Sequence, residues 1–179
     1  PIDVVHRVFQ LGQQYSWHIQ SYIDDHLLCH HKNWQSDHYE QQTGAVAEFL
    51  GDTIYTLSSE PNKLIAIDTE EGIDRIIDIL TPLVGNQVTL VRSQRDFLEI
   101  TAPNVSKGRA LAQLALDNNL SLDNIVSFGN AENDISMLSE TGYSVAVSNA
   151  TEHVKSVANE VCGHHNEDGV AHWIEKNLL

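Results

Sequence analysis

The sequence predicts an α/β chain in two parts, an α+β module followed by a half built from parallel βαβ units. Three observations predict it. Over the first hundred residues, short β-branched runs are joined by brief turns, the mark of hairpins. After Pro103, strands alternate with helix-length segments, and such crossovers join parallel strands. Between Phe128 and Leu138, a strand end runs through Gly129, Asn130, Glu132, Asn133 and Asp134 into a helix. The carboxyl end of a strand is where open α/β sheets gather ligands. The domains read from this rhythm are 1–100 and 101–179, with the change near 100–104.

Taken in order, residues 3 to 15 form a helix, with Val4, Val5, Val8, Phe9 and Leu11 at near-helical spacing. Residues 17–23 form an imperfectly alternating strand, and 27–30 its hairpin partner across Asp24-Asp25-His26. The stretch 34–50 is polar and rich in Gln and His, expected as a helix plus loop. Lys63 to Asp68 is a strand, and Glu70 to Leu83 an amphipathic helix with Ile73, Ile76, Ile77 and Leu80 on one face. Two more strands, 88–91 and 97–101, complete an α+β module. Then come helix 106–118, strand 125–128, helix 134–140, strand 143–147, a helix from Thr151 to about Val161, and a last one from Val170 to Leu178. Repeats and low-complexity linkers are absent.

Composition narrows the function. The 179 residues carry 10 Lys and Arg against 25 Asp and Glu, a formal charge of −15. A phosphate-rich polymer is repelled by such a chain, so nucleic acid is not expected as a partner. The acidity suits a soluble cytoplasmic protein. No window reaches the roughly 18 apolar residues of a membrane span, so no membrane association is expected. The two cysteines, Cys29 and Cys162, form no CxxC pair and suggest neither a disulfide framework nor a four-thiolate zinc site. The chain opens at Pro1 without Met and runs straight into a helical pattern, as a processed or truncated product would.

Several clusters bear chemistry. Ser106 is an N-cap candidate, and Lys107 stands in a first helical turn, where a cation opposes the helix dipole. A facing anion explains it; the bland alternative is a solvated surface lysine. Asn130, Glu132, Asn133 and Asp134 offer hard oxygens and a donor amide, the needs of a magnesium–phosphate site; a capped turn is the plain alternative. Thr151 and the loop 166–170 read as caps. A zinc site drawn from Cys29, His30 and His31 is disfavoured, because adjacent residues of an extended strand point to opposite faces. No GxGxxG or GxxxxGK[ST] loop marks a nucleotide-binding module.

The order of these motifs carries more than any one of them. Leu98-Glu99-Ile100 leads to Val105-Ser106-Lys107-Gly108, then Gly129-Asn130-Ala131-Glu132-Asn133-Asp134-Ile135-Ser136-Met137-Leu138. Val145 to Ala150 and Glu167-Asp168-Gly169-Val170 follow. This resembles the carboxyl-terminal half of haloacid dehalogenase-like phosphatases of the Cof type, closely over 98–179 and in layout over 1–97. The resemblance implies a partial Rossmann-like core preceded by an α+β cap of the C2B type. It also implies hydrolysis of a small phosphorylated metabolite with Mg2+, through a phosphorylated aspartate. Lys107 matches the lysine that neutralises phosphate and nucleophile, and Asn133 the residue that hydrogen-bonds the phosphate. Asp134 matches the acid that orders the metal shell or the lysine, and Asn130 the position of a metal-binding Asp. In the cap, Arg92 and Ser93, with Arg95 or Lys63, are expected at the substrate rim.

The sequence departs from that family pattern twice. The nucleophile motif Asp-x-Asp-Gly-Thr is not among these residues, and Asn130 is neutral where a carboxylate is usual. These 179 residues alone are therefore expected to be inactive, and a non-catalytic binding or regulatory protein, or a relic, is the alternative. Without the strand that carries the nucleophile, the edge beside 125–128 is expected to stay unpaired and to favour self-association.

Overall fold

The strand β4 (Lys63–Ile67) shows why the first half organises around one sheet. Its side chains alternate between faces, yet Leu64, Ile65, Ala66 and Ile67 are all buried. A continuous apolar run of this kind belongs to a strand covered on both sides. In the computed structural model, which describes residues 1–179, the chain divides into two compact units, Pro1–Asn104 and Val105–Leu179. The division falls just past the strand that ends at Thr101, in a turn where Asn104 has φ 64°.

In the first unit, six strands have the order β3-β2-β1-β4-β6-β5. These are β1 (His18–Ile23), β2 (His26–Cys29), β3 (Ala47–Phe49), β5 (Thr89–Gln94) and β6 (Phe97–Thr101), with β4. All neighbours are antiparallel except β2 and β3, which run parallel. One face is covered by α1 (Ile2–Tyr15) and α3 (Glu70–Val84), whose Val8, Phe9, Ile73, Ile76 and Leu80 meet Leu64, Ala66, Leu98 and Ile100. The other face carries Ile65, Ile67 and Phe97 under Tyr39 of α2 (Trp34–Thr43). That helix lacks an apolar stripe and owes its start to a capping box: Asn33 Oδ1 accepts from Ser36 N at 2.9 Å, and Asn33 N donates to Ser36 Oγ at 3.0 Å. The short β3 departs from the helix plus loop expected over 34–50, because three residues are too few for a period to show.

In the second unit, β7 (Val126–Gly129), β8 (Tyr143–Val147) and β9 (Glu160–Cys162) form a parallel sheet in that order. Helices α4 (Lys107–Asp117), α5 (Ile135–Glu140), α6 (Glu152–Val157) and α7 (Gly169–Asn177) connect and cover them. Leu138, Ala146, Val147, Ala150 and Val154 make the core. One correction concerns the helix expected from 151 to 161. It stops at Val157, Ala158 turns to extended backbone, and 160–162 joins the sheet as β9. Asn159 drives the turn, its side-chain oxygen accepting from Ser144 N at 2.8 Å and Ser144 Oγ at 2.9 Å. No helix of the protein is long and apolar enough to cross a membrane.

Candidate functional site

In the second unit, the expected residues lie on two neighbouring segments, the start of α4 and the loop after β7. Ser106 caps α4, its Oγ accepting from Arg109 N at 3.2 Å. The glycine at 108 lets α4 touch α5 closely. A Cβ there would lie 2.5 Å from the Ser136 carbonyl oxygen, and Gly108 N donates to Ser136 Oγ at 3.1 Å. This contact sets Lys107 beside the loop. Its Nζ donates to Asp134 Oδ1, pairing the half-exposed lysine with a carboxylate whose side chain is 5% exposed. The cation that opposes its own helix dipole thus has its anion.

Asp134 is held from the other side as well. Its Oδ2 accepts from Asn130 N at 2.8 Å and Ala131 N at 3.1 Å, closing the loop upon itself. Gly129 is needed for that closure, because a Cβ there would stand 2.7 Å from Asp134 Cβ. Both carboxylate oxygens are therefore engaged within the protein.

Three other loop side chains diverge. Asn130 is exposed. Asn133 carries a buried side-chain oxygen with no partner inside the protein. Glu132 turns toward the next connection, its Oε1 accepting from Thr151 Oγ1 at 3.1 Å and its Oε2 from His153 Nδ1 at 2.8 Å. This bridge between the loops after β7 and β8 was not visible in the sequence. Thr151 showed only as a cap, and nothing in spacing connects residues nineteen or more apart.

Nowhere do three His, Cys, Asp or Glu side chains converge as a metal site. With Asp134 and Glu132 spent internally, the loop leaves an amide oxygen at Asn130 and no free carboxylate. This donor set does not by itself fit Mg2+, which favours carboxylate oxygens and near-octahedral geometry.

Arg92 and Ser93, the expected cap residues, lie on β5 in the first unit. Arg92 pairs with Asp74 on α3, and its Nη1 donates to the Arg95 carbonyl at 3.4 Å. Ser93 is the extra residue where the β5–β6 register shifts between Arg92 and Gln94, and a bulge there re-aims its side chain. Lys63 pairs with Glu99 at 3.5 Å.

A family model of haloacid dehalogenase-like hydrolases matches residues 1–174, and the chain belongs to that family. Among curated relatives, it is 41% identical to phosphatase YwpJ of Bacillus subtilis over 53% of this chain and 33% of that protein. It is 25% identical to the 5-amino-6-(5-phospho-D-ribitylamino)uracil phosphatase YitU of the same organism, over 98% of this chain and 66% of that one. A chloroplastic protein of Arabidopsis thaliana named endoribonuclease YBEY is 33% identical over 68% of this chain but only 24% of its own length. The chain spans 24 to 44% of the first curated relatives it matches. In structure it resembles TM0651 of Thermotoga maritima, with TM-score 0.82 and 31% identity over 100% of this chain and 67% of that one. It shares its fold with a haloacid dehalogenase-like hydrolase of Bacteroides thetaiotaomicron at TM-score 0.86, 21% identity, and 98% and 66% coverage.

Proposed function

We propose that the second unit supplies the phosphate-holding part of a phosphatase for small phosphorylated metabolites. Lys107 and Asn133 are the ligands of the phosphoryl group, and Arg92 and Ser93 belong to the substrate rim of the cap. The observation that carries the reading is the buried, doubly anchored Asp134 holding Lys107 at a strand-end loop. An ammonium fixed in advance stabilises phosphoryl oxygens without reorganising at the moment of reaction. Relatives named phosphatases support the reading at the level of the family.

Within it, these residues bind and orient phosphate, and the attacking carboxylate comes from outside the 179, which contain no Asp-x-Asp-Gly-Thr. Phosphatases of this family generally use Mg2+, and we place its carboxylate ligands outside these residues too, with Asn130 offering an amide oxygen. The chain alone is then inactive toward p-nitrophenyl phosphate with magnesium. Turnover by the pure chain that disappears in Lys107→Ala sinks the inactivity. In a polypeptide that also carries the aspartyl motif, Lys107→Ala lowers kcat/KM by about 10²–10³; an unchanged rate sinks the assignment of Lys107.

One observation favours a second reading. Asn130 is an amide at the metal-ligand position, which suits a non-catalytic binding protein. Retained phosphate binding with no turnover in the longer polypeptide decides for it.

A further inference from the structure

His30 and His31, which extended geometry set apart from a shared ligand, converge because β2 ends at Cys29 and the chain bends before α2. Their Nδ1 atoms face each other at 2.6 Å, with the ring planes at 79°. On its other side, His30 Nε2 lies 2.9 Å from Asp52 Oδ1. A carboxylate only accepts, so the proton on that side belongs to His30 Nε2. In a neutral ring His30 Nδ1 is then a bare lone pair, and the proton between the rings is donated by His31.

Carboxylate, imidazole and a lone pair engaged only by the neighbouring exposed ring follow the order in which a protein backs a metal-binding histidine, the outer carboxylate fixing the tautomer and raising basicity. The pair opens on a cavity of about 380 Å³ bordered also by Gln13, Ser16, Asn33 and Gln35, which offers polar room for water. Tyr55 supports His30 from the side, with ring centroids 5.0 Å apart. The neighbouring groups are otherwise committed. His18 is buried between Asn33 Nδ2 at 2.9 Å and Gln20 Oε1 at 3.2 Å. The Cys29 thiol donates to Gln20, and burial pushes its pKa up to about 12.

We propose that His30 and His31 form a two-imidazole site for a borderline divalent transition ion, zinc or nickel, completed by water and backed by Asp52. Imidazole suits such ions, and Mg2+ prefers oxygen. On binding, the His31 proton moves from Nδ1 to Nε2 of the same exposed ring, so none is lost. Two nitrogens on a tetrahedral ion at about 2.05 Å stand roughly 3.3 Å apart, so the rings part by under about 1 Å. The other adjacent pair, His164 and His165, has stacked rings at 23°, and His164 Nδ1 accepts from Asn166 N at 3.0 Å.

The test titrates ZnCl2, and separately NiCl2, into untagged, chelator-treated protein by calorimetry. One ion binds saturably per chain, with excess Mg2+ not competing. His31→Ala abolishes binding, Asp52→Asn weakens it about tenfold, and His165→Ala leaves it unchanged. His30→Gln, checked by circular dichroism, is the second ligand variant and also abolishes it. Absence of saturable binding, or binding indifferent to His31→Ala, overturns the proposal. None of these readouts involves phosphate or Lys107.

Discussion

Asp134 holds more of the second unit together than any other polar side chain described above. Removing it strands two part-buried backbone N–H groups and leaves the half-exposed Lys107 ammonium to water, against a cost of about 1–3 kcal/mol for one fully buried unsatisfied donor. Asp134→Ala therefore lowers stability by about 2 kcal/mol or more, beyond the effect of Lys107→Ala, which leaves both backbone bonds in place. Urea unfolding of the two variants checks the order. His18 gives a pH dependence in the first unit. Burial, ahead of the other causes, holds its pKa below the ordinary 6.5. The unfolded chain thus takes up this proton first. The stability is present above about pH 6.5 and is lost as pH falls through the lower folded value. His26 has the opposite sign, raised by its hydrogen bond to Glu48, so the contribution of His18 is read by difference. His18→Gln shows a smaller loss of urea midpoint between pH 7.5 and 5.5 than the natural chain; an equal loss refutes the assignment.

Elements depend on contacts only a few atoms wide. The close approach of α4 to α5 at Gly108 leaves no space for a methyl against the Ser136 carbonyl. Gly108→Ala costs about 1–3 kcal/mol through overpacking and moves Lys107, so it lowers both the urea midpoint and phosphate affinity. Thr151 has two tasks, capping α6 through Val154 N at 3.3 Å and binding Glu132 at 3.1 Å. Thr151→Ala costs about 1 kcal/mol as a lost cap, and amide exchange in residues 130–134 rises with it. Exchange confined to α6 would show that the Glu132 bridge does not tie the two loops.

At the scale of the whole molecule, the sheet of the second unit presents β7 as an outer strand, paired only with β8. An outer parallel strand offers a row of free N–H and C=O groups to another chain. We propose association through that edge, and sedimentation of the 179 residues then shows concentration-dependent species. A monodisperse, thermally robust monomer counts against it. The α/β class and most helices and strands were readable beforehand, because the continuous apolar run of β4 and the 3.6-residue apolar periods of α1 and α3 are long enough to be read. β3 and β9 were not, since three residues carry no period. Membership of the haloacid dehalogenase-like family was legible in the order of motifs around Lys107 and Asp134.

The sequence alone singled out the candidate residues: a lysine after an N-cap serine, and Asn130, Glu132, Asn133 and Asp134 at a strand end. Tertiary structure alone decided what each of them faces. Asp134 turns inward to Lys107 and two amides, Glu132 leaves for Thr151 and His153, and His30 meets His31 where the strand has ended. Spacing along a chain sets the direction of a side chain only within one helix or strand. Partners that lie 19, 22 or 27 residues apart are chosen by how the elements fold against one another.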